Sequence, residues 1–476
     1  MSTDAETVMN GIPADPISTL MASARAAQHV ANGYDQQRVD DLVAAAGWAI
    51  IEPARNRELA ELAVADTGIG DVDDKVRKNG RKTLGLLRDL SGAKSVGVIA
   101  EDPVRGIIEI ARPVGVVCAI TPSTNPGATP ANKIINALKG RNAVIVAPSP
   151  KGWSTADRLI GFIHQQFDRI GAPRDLVQLL PAPVSKQSTA ELMRRCDLVV
   201  ATGSQANVRA AYASGTPAFG VGAGNVAGIV DETADVEAAA ERVLRSKTFD
   251  NATSCSSENS LVLVAVVRDK MLAALEARGA VLLDDTQKNM LRRLMWPQGK
   301  LSAAVTGKSA RVIAESAGFA EIAAGSPRIL MVNEEGFGPD HPFSGEKLCP
   351  VLTIYTADDF NDATRIVERI YAWQGAGHSV GLHSAMPGRA LRLGLDLPVS
   401  RVILNQAHCI AAGGSFDNGL PFSLSMGCGT WGGNNFSDNM NYRHYLNITR
   451  ISRPIAENVP SERQIFGAYF DRYGKS

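Results

Sequence analysis

The segment Asp250-Asn-Ala-Thr-Ser-Cys-Ser-Ser-Glu-Asn259 sets a thiol, Cys255, among hydroxyl and amide side chains. It joins a helix-like stretch to an apolar run, which puts the thiol in a polar loop at an element boundary, where functional groups concentrate. An ordinary cysteine has a pKa near 8.5 and is only a few per cent ionised at neutral pH; nearby donors lower that value and make the sulfur a nucleophile. The chemistry on offer is covalent attack on an electrophilic carbon. The plainer alternative is a turn residue with polar neighbours. For Cys118, Cys196, Cys349, Cys409 and Cys428 the default reading is a small buried hydrophobe. No CxxC pair occurs, so a metal site is not expected.

Other segments supply candidate binding groups. Leu198-Val-Val-Ala-Thr-Gly-Ser-Gln205 reads as strand, tight turn and helix start. Ser204 then caps a helix whose free N–H groups suit a phosphate. Gly220-Val-Gly-Ala-Gly-Asn225 resembles a dinucleotide fingerprint but fails it: the third glycine is missing in one frame, and in the other an apolar strand-like run follows instead of a helix. A glycine wall that lets backbone approach a ligand fits better. Of the seven histidines, only His408 adjoins a cysteine, Cys409, as a rival thiol–imidazole pair.

These groups need a scaffold, and the apolar pattern specifies one. Helical spacing fills Ser18 to Ile50, with breaks expected near Gly33 and Gly47, then Glu58 to Thr67 and Val76 to Leu90. Short apolar runs follow at Val114–Ile120, Ala143–Val146, Leu176–Leu180 and Leu198–Ala201, with helices between them. A second series includes Ser260–Val267, Val351–Tyr355 and Arg401–Leu404. Alternating buried strands and helices predict an α/β chain with parallel, helix-covered sheets that bind ligands at the carboxyl ends of their strands. A boundary is expected near Asp231–Asp235, where a new acidic helix start follows an apolar stretch.

Lys+Arg and Asp+Glu both number 49, so no basic excess points to nucleic acid or an anionic membrane. No apolar run approaches the roughly 20 residues of a membrane span, and the start does not read as a secretion signal, so a cytoplasmic protein is expected.

Five segments taken in order resemble the aldehyde dehydrogenase superfamily. They are Pro113-Val-Gly-Val-Val-Cys-Ala-Ile-Thr-Pro-Ser-Thr-Asn-Pro126, Ala201-Thr-Gly-Ser204, the Cys255 segment, Gly345-Glu-Lys-Leu-Cys-Pro-Val351 and Gly427-Cys-Gly-Thr-Trp-Gly-Gly-Asn434. The Thr121-Pro-Ser-Thr-Asn-Pro126 and Phe219-Gly-Val-Gly-Ala-Gly-Asn225 runs look like the coenzyme A-acylating branch. The resemblance implies two Rossmann-type parallel-sheet domains plus a small oligomerisation strand region. It implies a cofactor-binding domain over 1–234 with a hairpin near 100–112, a catalytic domain over 235–430 and an oligomerisation tail over 431–476, in a homodimer or homotetramer.

The resemblance also implies roles. Cys255 is the nucleophile, and Asn125, or its neighbour Thr124, supplies an oxyanion donor. The NAD or NADP cofactor is placed against Thr121, Pro122, Ser123 and Thr124, Ala147, Ser149 and Lys151, Thr202, Gly203 and Ser204, Gly220, Val221 and Gly222, and Glu346 and Leu348. Ala147 stands where many members carry a lysine, and Lys151 is the nearest replacement, which leaves NAD and NADP both open. Gly220 stands where hydrolysing members place a glutamate base. Loss of a positioned base typically removes about a hundred- to ten-thousandfold of proton-transfer catalysis. A thiol acceptor needs less help than water. The implied reaction is oxidation of a small aldehyde with transfer of the acyl group to coenzyme A. Overall likeness within the branch implies sulfoacetaldehyde, with acetaldehyde, propionaldehyde or succinate semialdehyde as alternatives. The rival reading is hydrolysis to a free acid. Arg443, His408 and Asn136 are the candidate partners for a sulfonate.

Overall fold

The computed structural model describes residues 15–221 and 224–475. Four helices open it: Pro16–Ala31, Gln36–Ile51, Pro53–Thr67 and Val72–Leu90. Their starts follow from capping chemistry, since Asp15, Asp35, Glu52 and Asp71 each accept a backbone N–H from their own first turn. The break expected near Gly33 is real. The one expected at Gly47 is not, for the helix runs through it. A Cβ there would lie 2.8 Å from Leu87 Cδ1, so this glycine serves close helix–helix packing instead of a turn.

Strands β1 (Gly97–Asp102) and β2 (Ile107–Pro113) form an antiparallel hairpin. Strands β3 (Val116–Thr121), β4 (Ala143–Pro148), β5 (Val177–Leu179), β6 (Leu198–Thr202) and β7 (Ala218–Val221) form a parallel sheet in the order β5-β4-β3-β6-β7. Strands β8 (Val226–Val230), β9 (Glu258–Val264), β10 (Ala280–Leu282), β11 (Ile329–Asn333), β12 (Val351–Ala357), β13 (Val380–His383) and β14 (Val402–Leu404) form a second parallel sheet in the order β10-β11-β12-β9-β8-β13-β14. Strand β15 (Leu446–Ser452) returns to pair with β2. The chain therefore passes between the parallel sheets at Val221–Val226, so β8 belongs to the second sheet although it precedes Asp231.

Burial explains which strands are plain apolar runs. β3, β4 and β8 are buried along their whole length, as strands covered on both faces must be. The apolar run read as one strand over Ser260–Val267 divides at Val264, where the helix Ala265–Glu276 begins. A short apolar run does not distinguish a strand from the first turn of a buried helix.

Two features of the sheets position the site. In the five-stranded sheet, successive strands run outward from β3 on one side and from β6 on the other, so the order reverses between these neighbours. Ligands of open parallel sheets bind at such a reversal, outside the carboxyl ends. In the seven-stranded sheet, β12, β9, β8 and β13 are consecutive neighbours, and the loops just before their amino ends hold Glu346, Cys255, Gly224 and His378.

Candidate active site

The carboxyl ends of β3 and β6 and the amino ends of the second sheet's central strands meet at one cavity of about 310 Å³. Pro122, Ser123, Thr124 and Asn125 line it from the loop after β3, and Thr202, Gly203 and Ser204 from the end of β6. Cys255, Glu346 and Leu348 face them. The helix Val72–Leu90 closes a third side with Lys78, Arg81 and Lys82. The cavity lies at the carboxyl ends of the first sheet, where binding was expected; the second sheet presents its residues from the opposite ends of its strands.

Cys255 is partly exposed to this cavity. Burial by the surrounding protein, reinforced by Glu346, pushes its thiol well above the ordinary range, so it rests protonated. Its Sγ lies 3.4 Å from His378 Nε2. Burial pushes His378 well below the usual imidazole range, and the neighbouring Arg401 adds to this. The ring is therefore neutral at pH 7. Its Nδ1 lies 2.6 Å from Ser379 Oγ. In the tautomer whose Nδ1–H donates there, Nε2 is an acceptor aimed at the thiol. A protonated thiol beside a neutral imidazole can act as a nucleophile and its base.

Close packing of glycine-bearing segments makes this pair. A Cβ on Gly377, whose φ is +88°, would sit 1.9 Å from Cys428 O, and one on Gly432 would sit 2.4 Å from Cys428 Cβ. Buried Arg401 ties the same segments together: Nη1 donates to His378 O at 3.1 Å and Gly427 O at 3.0 Å, and Nε to Asn439 Oδ1 at 2.6 Å. The glycines of Gly427–Gly433 thus permit the backbone contact that holds the imidazole in place. On the other flank, a Cβ on Gly224 would lie 2.2 Å from Cys255 O.

Asn125 sits in the cavity with its Oδ1 accepting from Lys78 Nζ at 2.8 Å. The carbonyl end of the amide is thereby occupied, and the donor end remains for another partner. Its present contact is weak, Nδ2 to Thr124 Oγ1 at 3.4 Å. Lys78 and Lys75 are both buried and both paired with Asp250. Lys75 also donates to Thr124 O at 3.0 Å, fixing the loop after β3. Asp250, Asn251 and Ala252 all adopt positive φ near 50°, which swings the Cys255 loop back onto this helix.

Glu346 accepts from Gly224 N–H at 3.2 Å. Burial pushes its carboxyl up to about 8. Thr121 Oγ1 is buried without a partner at the end of β3, and Ser204 caps the helix Gln205–Tyr212 beside Gly203, whose φ is +152°. A nucleotide cofactor fits these groups: a hydroxyl, a backbone that admits close approach, and a helix start suited to a phosphate. Ala147, Ser149 and Lys151 stand outside the cavity wall, at the end of β4 and the turn after it, one strand away from β3. Gly220 and Val221 end β7 without lining the cavity, and Gly222 lies outside the described residues.

Sequence reading placed Cys255, Asn125 and the β3, β6 and Glu346 segments at one cavity and missed His378, Lys78, Arg81 and Lys82. His378 had one legible sign: Gln374-Gly-Ala-Gly-His378 precedes an apolar strand, as the Cys255 loop does. The rival pair is not assembled. His408 turns Nδ1 to Ser256 O at 2.8 Å, and Cys409 is buried. Arg443, His408 and Asn136 also fail as substrate contacts. Arg443 is exposed, Asn136 donates to Asn132 O inside its helix, and none of the three lines the cavity. Among the described residues there is no group of three side chains able to hold a metal ion.

Two facing sheets with a thiol and an imidazole between them define the class. Residues 7–290 match the aldehyde dehydrogenase family, and the chain belongs to it. It is 65% identical to the sulfoacetaldehyde dehydrogenase (acylating) of Cupriavidus necator over 97% of this chain and 94% of that one. It is 42% identical to the enzyme of the same name from Bilophila wadsworthia, over 96% and 99%. The crystal structure of an acetylating aldehyde dehydrogenase from Geobacillus thermoglucosidasius superposes with a TM-score of 0.89 at 34% identity, covering 94% of this chain and 98% of that one.

Proposed function

We propose that this enzyme oxidises a small aldehyde, with sulfoacetaldehyde as the best-supported substrate, and passes the acyl group from Cys255 to coenzyme A. NAD or NADP, when bound, supplies the hydride acceptor. The observation that carries the reading is the Cys255–His378 pair at 3.4 Å in a cavity where Glu346 is the sole carboxylate among the described lining residues. The names of the 65% and 42% identical relatives point to the same substrate and acceptor.

His378 Nε2 takes the thiol proton as Cys255 Sγ adds to the aldehyde carbon. Asn125 Nδ2, its Oδ1 held by Lys78, and the Cys255 backbone N–H face the developing oxyanion, and one such donor is typically worth about 2.7–4 kcal/mol. Glu346 and the Thr121–Thr124, Thr202–Ser204 and Leu348 groups orient the cofactor. After hydride leaves the carbon, Cys255 holds the acyl group as a thioester. Once His378 has released the Cys255 proton to solvent, its Nε2 can accept the proton of the coenzyme A thiol; that thiolate displaces Cys255, whose sulfur takes the proton back. One thioester replaces another, so the reaction runs in both directions. Gly220 offers no carboxylate to activate water.

The experiment is a pre-steady-state assay with and without coenzyme A. Without it, one equivalent of reduced cofactor per active site should form and turnover should then stall. Sustained turnover to the free acid would establish the hydrolysing alternative.

The exposed edges of the β1-β2-β15 sheet, and the apolar side of the helix Glu462–Tyr473 with Ile465, Phe466 and Tyr469 exposed, support assembly as a homodimer or homotetramer. All six cysteines are free, which fits a reducing cytoplasm. No helix among the described residues is long and apolar enough to cross a membrane.

A further inference from the structure

The helix Val72–Leu90 turns Lys75, Lys78 and Lys82 inward on one face, at spacing i, i+3, i+7, and all three are buried. Asp250 is the only carboxylate paired with any of them among the described residues, and it serves Lys75 and Lys78. Lys82 Nζ donates to two carbonyls, Gly413 O at 2.6 Å and Ser423 O at 3.4 Å. An ammonium has three donors, so one remains, and Lys82 lines the cavity that holds Cys255. Arg81 lines the same wall, and its Nη2 likewise donates only to carbonyls, Ile410 O at 2.7 Å and Gly414 O at 3.1 Å.

A buried cation without a counter-ion is costly; Lys133, Lys247 and Lys347 share that condition, but of the four only Lys82 lines the cavity that holds Cys255. Burial and the adjacent Arg81 push Lys82 down to about 7, as expected of an ammonium that still lacks its anion. The other charged groups facing this space are Lys78, committed to Asp250 and Asn125, and Glu346 on the cofactor side.

A second cavity of about 680 Å³ shares Arg81 and Phe249 with the first and is also lined by Arg77, Arg245 and Arg328. Its acids are engaged, Asp74 with Arg77 at 3.2 Å and the Asp250 backbone, and Glu241 with Arg278 at 3.4 Å. Among the described residues Arg81, Arg245 and Arg328 have no carboxylate within ion-pair distance. With four arginines against two paired carboxylates, the lining carries an excess of positive charge, which draws in anions.

We propose that Lys82, with Arg81 beside it, binds the anionic end of a sulfonate-bearing aldehyde while its carbonyl meets Cys255, and that the arginine-lined cavity is the route by which this substrate enters. The proposal rests on the reading of the chain as an acylating aldehyde dehydrogenase and adds the residues that select the substrate. A sulfonate spreads its charge over three oxygens, which matches one ammonium donor and one guanidinium from consecutive residues of one helix.

The test compares kcat/KM for sulfoacetaldehyde, succinate semialdehyde and propionaldehyde, each with coenzyme A, in the full-length wild type and in Lys82→Met. The expected result is a fall of at least about tenfold in the ratio of sulfoacetaldehyde to propionaldehyde, the loss of roughly one charge-assisted hydrogen bond. A smaller fall overturns the proposal, as does a fall confined to the succinate semialdehyde ratio. If Lys82→Met does not fold, the wild type still decides. Ethanesulfonate should compete with sulfoacetaldehyde, and inhibition no stronger than that by chloride at equal concentration overturns the proposal. Failure of the wild type to form acyl-coenzyme A from any of the three aldehydes would instead overturn the reaction itself.

Discussion

His378 Nε2 stands 3.4 Å from Cys255 Sγ, and the two groups have been pushed in opposite directions: the thiol up, chiefly by burial, and the imidazole down, by burial and Arg401. Each is therefore neutral before substrate arrives. An ion pair waiting in the dark of the cavity would face the desolvation cost of two charges; a neutral pair defers it until the oxyanion forms beside Asn125.

This sets the pH profile. A His378 ring that stays neutral well below the ordinary imidazole value of about 6.5 keeps kcat/KM from falling until the pH drops below that value. His378→Ala leaves a thiol with a raised pKa and no acceptor. Its kcat/KM should fall about a hundred- to ten-thousandfold at neutral pH and climb steadily into alkaline pH. Parallel pH profiles for the wild type and the variant would remove His378 from the proton path. The rate of Cys255 alkylation by iodoacetamide gives an independent check.

As the proposed cofactor contact, Glu346 should make the cofactor's affinity depend on pH in the opposite region. Its carboxyl titrates at about 8, so below that pH it is protonated and accepts poorly from ribose hydroxyls. Ionisation improves the acceptor, and the Kd for the nicotinamide cofactor should decrease as the pH rises from about 7 to about 9, by severalfold. Glu346→Gln should bind more weakly at the alkaline end and show little pH dependence. Fluorescence titration with reduced cofactor measures both, and an unchanged slope in the variant would assign the titration elsewhere.

The contact of Lys78 Nζ with Asn125 Oδ1 predicts a graded pair of defects. Asn125→Ala removes the proposed oxyanion donor and should lower kcat by about a hundred- to a thousandfold, with little change in cofactor Kd. Lys78→Met keeps the donor but frees the amide to flip, so its loss should be smaller. Combined, the two should cost hardly more than Asn125→Ala alone, because they act through one amide. Fully additive losses would mean that Lys78 acts separately.

The parts legible in the sequence were those whose signal is local. The Cys255 loop, the strand–turn–helix at Leu198–Gln205 and the buried runs β3, β4 and β6 each declare themselves within about ten residues. His378 and Lys82 did not, because their meaning is purely long-range: one reaches Cys255 across 123 positions, the other meets carbonyls more than 300 residues away. Three lysines at helical spacing ordinarily mark a solvated face, and only the packing of Gly413 and Ser423 over Lys82 and of the Asp250 loop over Lys75 and Lys78 turns them inward. Gly47 misled for a related reason. A glycine that admits a neighbouring helix looks, in one dimension, like a glycine that ends its own.

Asp250 is the last test, and it concerns stability. Its side chain is wholly buried between Lys75 and Lys78, and its backbone turns the catalytic loop. Burial alone would raise its pKa; the two lysines and the Asp71 backbone N–H outweigh that and hold it below its ordinary range. A carboxylate with a depressed folded-state pKa contributes stability above its unfolded value of about 3.9 and loses it as the pH falls through the lower, folded value. Asp250→Asn keeps the shape but strands two buried ammonium groups, which should cost about 3–5 kcal/mol in urea unfolding at neutral pH. The difference from wild type should narrow below about pH 4, where the unfolded wild-type chain takes up a proton that the folded carboxylate still resists. A deficit of equal size at every pH would show that Asp250 matters for the shape of the loop instead of for its charge.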